Sequence, residues 1–104
     1  MSDQSLDFLE ELSGKKMTIG NLLWSIRECE GISQAAFSKT LGISRQYLCD
    51  IEHNRRIISI KAAADFATKL GYSPMQFIRL AIQDELTKYK YHFDIQLTEH
   101  KVAA

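Results

Sequence analysis

The stretch QAAFSKTLGISRQYLCDIE occupies residues 34–52, and its apolar positions fall into two sets. Phe37 and Leu41 stand before Gly42, and Leu48 and Ile51 stand after it, at separations of four and three that put each pair on one face of a helix. Ile43 lies in the connection between them. Ser33 and Ser44 precede the two halves, where a serine hydroxyl satisfies free N–H groups at a helix start. Gly42 marks the point where the chain turns with positive φ, which glycine adopts without a Cβ penalty. Ser38 is small where two helices locked by these five apolar side chains approach most closely. The stretch predicts two short helices joined by a tight turn and crossing at a steep angle.

Outside this stretch the helical pattern continues in both directions. Thr18 is placed to cap a helix with Ile19, Leu22, Leu23 and Ile26 on one face, closed by Gly31. Ser59 caps a fourth helical segment whose predicted buried stripe is Ile60, Ala63, Ala67 and Leu70, closed by Gly71. Ser73, Pro74 and Gln76 combine a capping box with proline at the first helical position, so a further helix starts there. Its apolar residues Phe77, Ile78, Leu80, Ala81, Ile82 and Leu86 cover more of the circumference than one core-facing stripe needs, which predicts packing against something outside the domain. Near the start, Leu6, Phe8, Leu9 and Leu12 predict a short additional helix ended by Gly14. From Tyr89 the period changes to two: Tyr91, Phe93, Ile95 and Leu97 alternate with Lys90, His92, Asp94 and Gln96, the pattern of a strand. The expected fold class is all-α. It consists of a five-helix domain over residues 18–86, an N-terminal appendage at 1–17 with a short helix, and a C-terminal strand and tail at 87–104.

The 34–52 stretch resembles the helix-turn-helix of the Xre/Cro family of phage-type repressors, and the resemblance extends over roughly residues 18–84. It implies that the second helix of the pair enters the major groove of DNA. With Leu48 and Ile51 directed to the core, Arg45, Gln46, Cys49 and Asp50 share the outward face. Arg45 suits guanine O6 and N7, Gln46 suits adenine N6 and N7, and Asp50 suits cytosine N4. Ser44 at the helix start and Tyr47 at the edge of the face complete the expected base-reading set. Candidates for phosphate contact are Gln34, Lys39, His53, Asn54, Arg55 and Arg56. Asn54 stands where the family commonly has a glycine, and asparagine is the residue next most tolerant of a left-handed backbone. The resemblance further implies a structural pair between Arg27 and Glu52.

Charge is informative only through its distribution. The chain carries 13 basic and 13 acidic residues, a net charge of zero, whereas a nucleic-acid-binding domain is usually basic. Between residues 33 and 61, however, Lys39, Arg45, Arg55, Arg56 and Lys61 face only Asp50 and Glu52, a local excess of three positive charges. His53, His92 and His100 are far apart in sequence, and no phosphate loop or nucleophile elbow is present, so neither catalysis, a metal nor a cofactor is expected. Cys29 and Cys49 are expected to be free thiols. Acidic residues near the start and the lack of a long apolar run point to the cytoplasm.

The expected function is a sequence-specific repressor that binds a palindromic operator as a homodimer and serves as the antitoxin of a toxin–antitoxin operon. The alternatives are a free-standing regulator and an interaction module that has lost DNA binding. The tail bears on the choice. A lone strand leaves its backbone unsatisfied, so residues 90–97 are expected to pair with a second chain, either their own copy across a two-fold axis or the sheet edge of a toxin.

Overall fold

The computed structural model describes residues 17–100, and within them five helices follow one another: α1 (Ile19–Glu30), α2 (Gln34–Leu41), α3 (Arg45–Glu52), α4 (Ile60–Leu70) and α5 (Pro74–Lys88). Four begin as their sequences predict. The hydroxyls of Thr18, Ser33, Ser44 and Ser59 accept hydrogen bonds from the backbone N–H three residues later, which satisfies a donor that would otherwise lack a partner. Gly31, Gly42 and Gly71 close α1, α2 and α4 in the left-handed conformation. The start of α5 departs from expectation. Pro74 occupies its first turn, but the Ser73 side chain makes no capping bond and Gln76 is buried. The fixed φ of proline, not a capping box, sets this helix start. The short helix expected near residues 5–13 lies outside the described residues.

One core joins all five helices. Ile19, Leu22, Leu23 and Ile26 of α1 meet Phe37 and Leu41 of α2, Leu48 and Ile51 of α3, and Phe77, Leu80 and Ala81 of α5. Met17, just ahead of α1, and Ile58, ahead of α4, are buried with them. In α4 the buried stripe is Ala63, Phe66 and Ala67, while Ile60 is exposed. Ile60 shares the helical face of Ala63 and Ala67, but with Ser59 as cap it is the first residue of the helix and lies at its end. On α5, Ile78, Ile82 and Leu86 are half-buried and form a stripe along the helix.

The strand expected over Tyr91, Phe93, Ile95 and Leu97 is not formed. Among the described residues the structure contains no strand, and residues 91–100 have no regular secondary structure. Their backbone is satisfied in another way. The Gln83 amide, buried in α5, donates from Nε2 to the Phe93 carbonyl at 2.7 Å and accepts at Oε1 from the Ile95 N–H at 3.0 Å. A primary amide offers one acceptor beside its donors, as a peptide does, so this side chain stands in for one residue of a partner strand. Ile95 and Leu97 are half-buried, whereas Tyr91 and Phe93 stay exposed with their rings stacked, centroids 6.1 Å apart.

Candidate nucleic-acid interface

The frame of the site is set by a buried carboxylate. Glu52, the last residue of α3, accepts from Arg27 Nε at 2.8 Å and from Arg27 Nη2 at 2.9 Å, so the expected pair is present and bidentate. Gln34 Nε2 adds a third donor at 3.0 Å, and Arg27 Nη1 reaches on to the Ile32 carbonyl. This cluster ties α1, the start of α2 and the end of α3 together. The Glu52 side chain is 1% exposed, so every bond it accepts offsets desolvation of a charge. Its hydrogen bond raises the affinity of the Arg27 guanidinium for its proton, against the effect of burial. The Gln34 amide, expected at a phosphate, commits at least one N–H to this frame.

A close approach fixes the other end of the α1–α3 contact. A Cβ on Gly20 would collide with the Ile51 carbonyl oxygen and with Asn54 Oδ1, so glycine is required for α1 to lie against the end of α3. Asn54 has the positive φ expected for its position, 59°. Its side chain does more than tolerate that conformation. Oδ1 accepts from the Thr18 hydroxyl at 2.7 Å, and Nδ2 donates to Asn21 Oδ1 at 3.0 Å, so the residue clasps the start of α1. Glycine could not make these bonds, which explains the departure from the family pattern. Asp84 of α5 accepts from the Ile19 N–H at the same helix start, and Lys69 of α4 donates to the Leu41 carbonyl at the end of α2. Sequence reading missed the roles of Gly20, Asp84 and Lys69. Each meets a residue distant in the chain, and no local spacing signals such a contact.

With Leu48, Ile51 and Glu52 turned inward, α3 leaves Arg45 and Gln46 exposed and Tyr47, Cys49 and Asp50 half-buried. Ser44 is exposed, and its hydroxyl caps the helix by accepting from the Tyr47 N–H. His53, Arg55 and Arg56 are exposed and each meets a residue of α3, and Lys39 is exposed on α2. The Arg56 guanidinium lies over the Tyr47 ring, 4.8 Å from its centroid, which holds the cation at the edge of α3. His53 Nδ1 donates to the Cys49 carbonyl at 2.8 Å. Asp50 is engaged within the chain: Arg55 holds its carboxyl below the ordinary carboxylate range by hydrogen bonding, with a smaller contribution from Gln46.

These features amount to two short helices meeting at a left-handed glycine, an outward basic face and a buried clamp behind it. The sequence matches the helix-turn-helix family HTH_3 over residues 25–77, about half the chain. The chain belongs to this Xre/Cro-type helix-turn-helix family. The family is one of DNA-binding regulators, so membership implies that this helix-turn-helix protein binds DNA. No curated protein and no solved structure matches the chain significantly. Cys29 and Cys49 of this helix-turn-helix protein are free thiols. Among its described residues no helix is long and apolar enough to cross a membrane.

Proposed function

We infer that this helix-turn-helix protein is a transcriptional repressor that reads a palindromic operator as a homodimer, with α3 of each protomer in a major groove. The observation that carries the reading is the pairing of exposed Arg45 and Gln46 with an immobilised opposite side of the same helix, where Leu48 and Ile51 are buried and Glu52 is clamped by Arg27. A base-reading side chain discriminates only if its helix cannot shift, and this one is held at its inner face. Arg45 and Gln46 carry the direct readout, Ser44, Tyr47 and Cys49 border it, and Lys39, His53, Asn54 and Arg56 line the sugar-phosphate side, with Arg55 held to Asp50.

The exposed aromatic residues Tyr89, Tyr91 and Phe93 support a second chain on the tail, and the half-buried stripe of α5 supports one on that helix. A homodimer that reads a palindrome needs its two α3 helices about 34 Å apart, one turn of the duplex. In the finer reading of an antitoxin, a toxin protein instead of the second copy covers the aromatic tail, and the two-fold contact falls to α5.

The DNA reading is tested by selecting sites from a random duplex library. Arg45→Ala and Gln46→Ala are each expected to lose about 1–3 kcal/mol of discrimination at particular base pairs, with little change in non-specific affinity. Arg56→Ala is expected to weaken binding to all sequences and to lower the salt slope by about one unit. Unchanged base preferences in the first two variants would remove α3 from the groove.

A further inference from the structure

Asp50 shares the outward face of α3 with two residues that the repressor reading uses on DNA, and three donors converge on one of its oxygens. Gln46 Nε2 lies 3.1 Å from Oδ1, Arg55 Nε 3.2 Å and Arg55 Nη2 3.0 Å. A carboxylate on a face that approaches phosphates lowers affinity for every sequence. Its compensating effect is visible in what it holds. From this juxtaposition we propose that Asp50 is a positioning residue for sequence readout: it fixes the donor–acceptor order that Gln46 presents to the groove and restrains Arg55 from the phosphates, without reading a base itself. The proposal rests on the major-groove placement of α3.

The physical argument begins with the amide. An unrestrained glutamine can rotate its terminal amide by half a turn and exchange donor for acceptor. An ionised carboxylate only accepts, so Gln46 must turn Nε2 towards Asp50, and the flipped amide would set two acceptor oxygens against each other. The separation of four residues makes this pairing local to α3 and independent of the DNA. One N–H of Gln46 is then committed to Asp50, while Oε1 and the second N–H remain. Those are the two groups that match N6–H and N7 of adenine, whose order in the groove is fixed. An amide set in advance loses less freedom on binding and cannot offer the reversed pattern to another base.

Arg55 bears on the charge of the arrangement. Its hydrogen bonds are the main cause that lowers the affinity of the Asp50 carboxyl for a proton, although any exposed aspartate is an acceptor-only carboxylate at neutral pH. In return Asp50 draws both Arg55 nitrogens to one oxygen, although the arginine side chain is 55% exposed and close to where a phosphate would lie. General affinity is thereby given up for discrimination.

The test compares wild type, Asp50→Ala, Asp50→Asn and Gln46→Ala by library selection and by salt-dependent titration on a non-specific duplex. Asp50→Ala is expected to lose about tenfold preference at the same base pair that Gln46→Ala loses, and to bind non-specific DNA more tightly, with a salt slope steeper by about 0.9. Asn offers an acceptor oxygen to Gln46 without the charge. Asp50→Asn is therefore expected to keep the preference while still gaining non-specific affinity, a rescue that a purely structural role would not produce. Altered preference at a base pair other than that of Gln46 would make Asp50 a reader and overturn the proposal. So would unchanged preference in Asp50→Ala. Failure of wild type to enrich any sequence would instead refute the DNA reading itself. Thermal melts of all four proteins confirm that the comparison is between folded molecules.

Discussion

Among the described residues two hold a left-handed backbone without being glycine, and they do so on different terms. Asn54 has φ 59° at the end of α3, and Lys90 has φ 64° just past the end of α5. Both close their helices with the same backbone pattern, in which Arg55 N–H reaches the Asp50 carbonyl at 2.8 Å and Tyr91 N–H reaches the Leu86 carbonyl at 2.9 Å. Asparagine tolerates this region and also gains the bonds to Thr18 and Asn21, whereas lysine carries the full Cβ penalty of about 1–2 kcal/mol. Glycine substitution is therefore expected to act in opposite directions at the two sites. Lys90→Gly is expected to stabilise the fold by about 1 kcal/mol. Asn54→Gly is expected to destabilise it by about 1 kcal/mol, because two hydrogen bonds worth about 0.5–1.5 kcal/mol each outweigh the smaller strain relieved. Urea titrations of both variants check the signs, and a gain in both would show that the Asn54 side-chain bonds contribute nothing.

At the scale of elements, the placement of α3 depends on how near α1 can come. Burial of Leu22, Leu23, Leu48 and Ile51 supplies the attraction, and the absence of a side chain on Gly20 sets the distance. Gly20→Ala makes the competition measurable. Alanine favours the helix by about 1 kcal/mol, but its methyl group meets the Ile51 carbonyl, which belongs to a backbone that cannot swing aside. Overpacking of this kind costs about 1–3 kcal/mol, occasionally more. The contact with a rigid group places this site at the upper end, so the expected result is a net loss of about 2 kcal/mol. For a domain of this size that lowers the melting temperature by about 10 °C. A shift of α3 relative to α1 would also carry Arg45 and Gln46 out of register with the groove. Operator affinity is expected to fall more than non-specific affinity in the same variant, measured by titration below its melting range.

Over the whole molecule, the remaining question is what the tail does once Gln83 has satisfied part of its backbone. Tyr91 and Phe93 point outward, 55% and 61% exposed, while the tail is held to Gln83 of α5. A second copy on that surface would bury these rings, and a charge placed there would oppose it. Phe93→Asp is expected to shift sedimentation from dimer to monomer, and to weaken binding to a palindromic operator by about a hundredfold as the two half-sites cease to be linked. Binding to a single half-site is expected to be unchanged. A Phe93→Asp protein that still sediments as a tight dimer would assign the interface to α5 alone and reserve the tail for another partner.

Local chemistry determined the parts that the sequence settled by itself. Serine and threonine caps, glycine stops and apolar spacing define α1 to α4, because each depends on residues within a turn or two of one another. The outward face of α3 followed from the same periodicity, since Leu48 and Ile51 can point to only one side. The Arg27–Glu52 pair was legible only through family resemblance. What the tertiary structure decided depends on contacts between distant residues. Phe66 is buried in α4 while Ile60 is exposed, Asn54 clasps α1, Gly20 admits the Ile51 carbonyl, and Asp50 binds Arg55 through one carboxylate oxygen. The tail shows the reason most directly. Alternation of apolar and polar residues indicates extended backbone, but it carries no information about which group will meet that backbone, and here a glutamine side chain from α5 takes the place of a second strand.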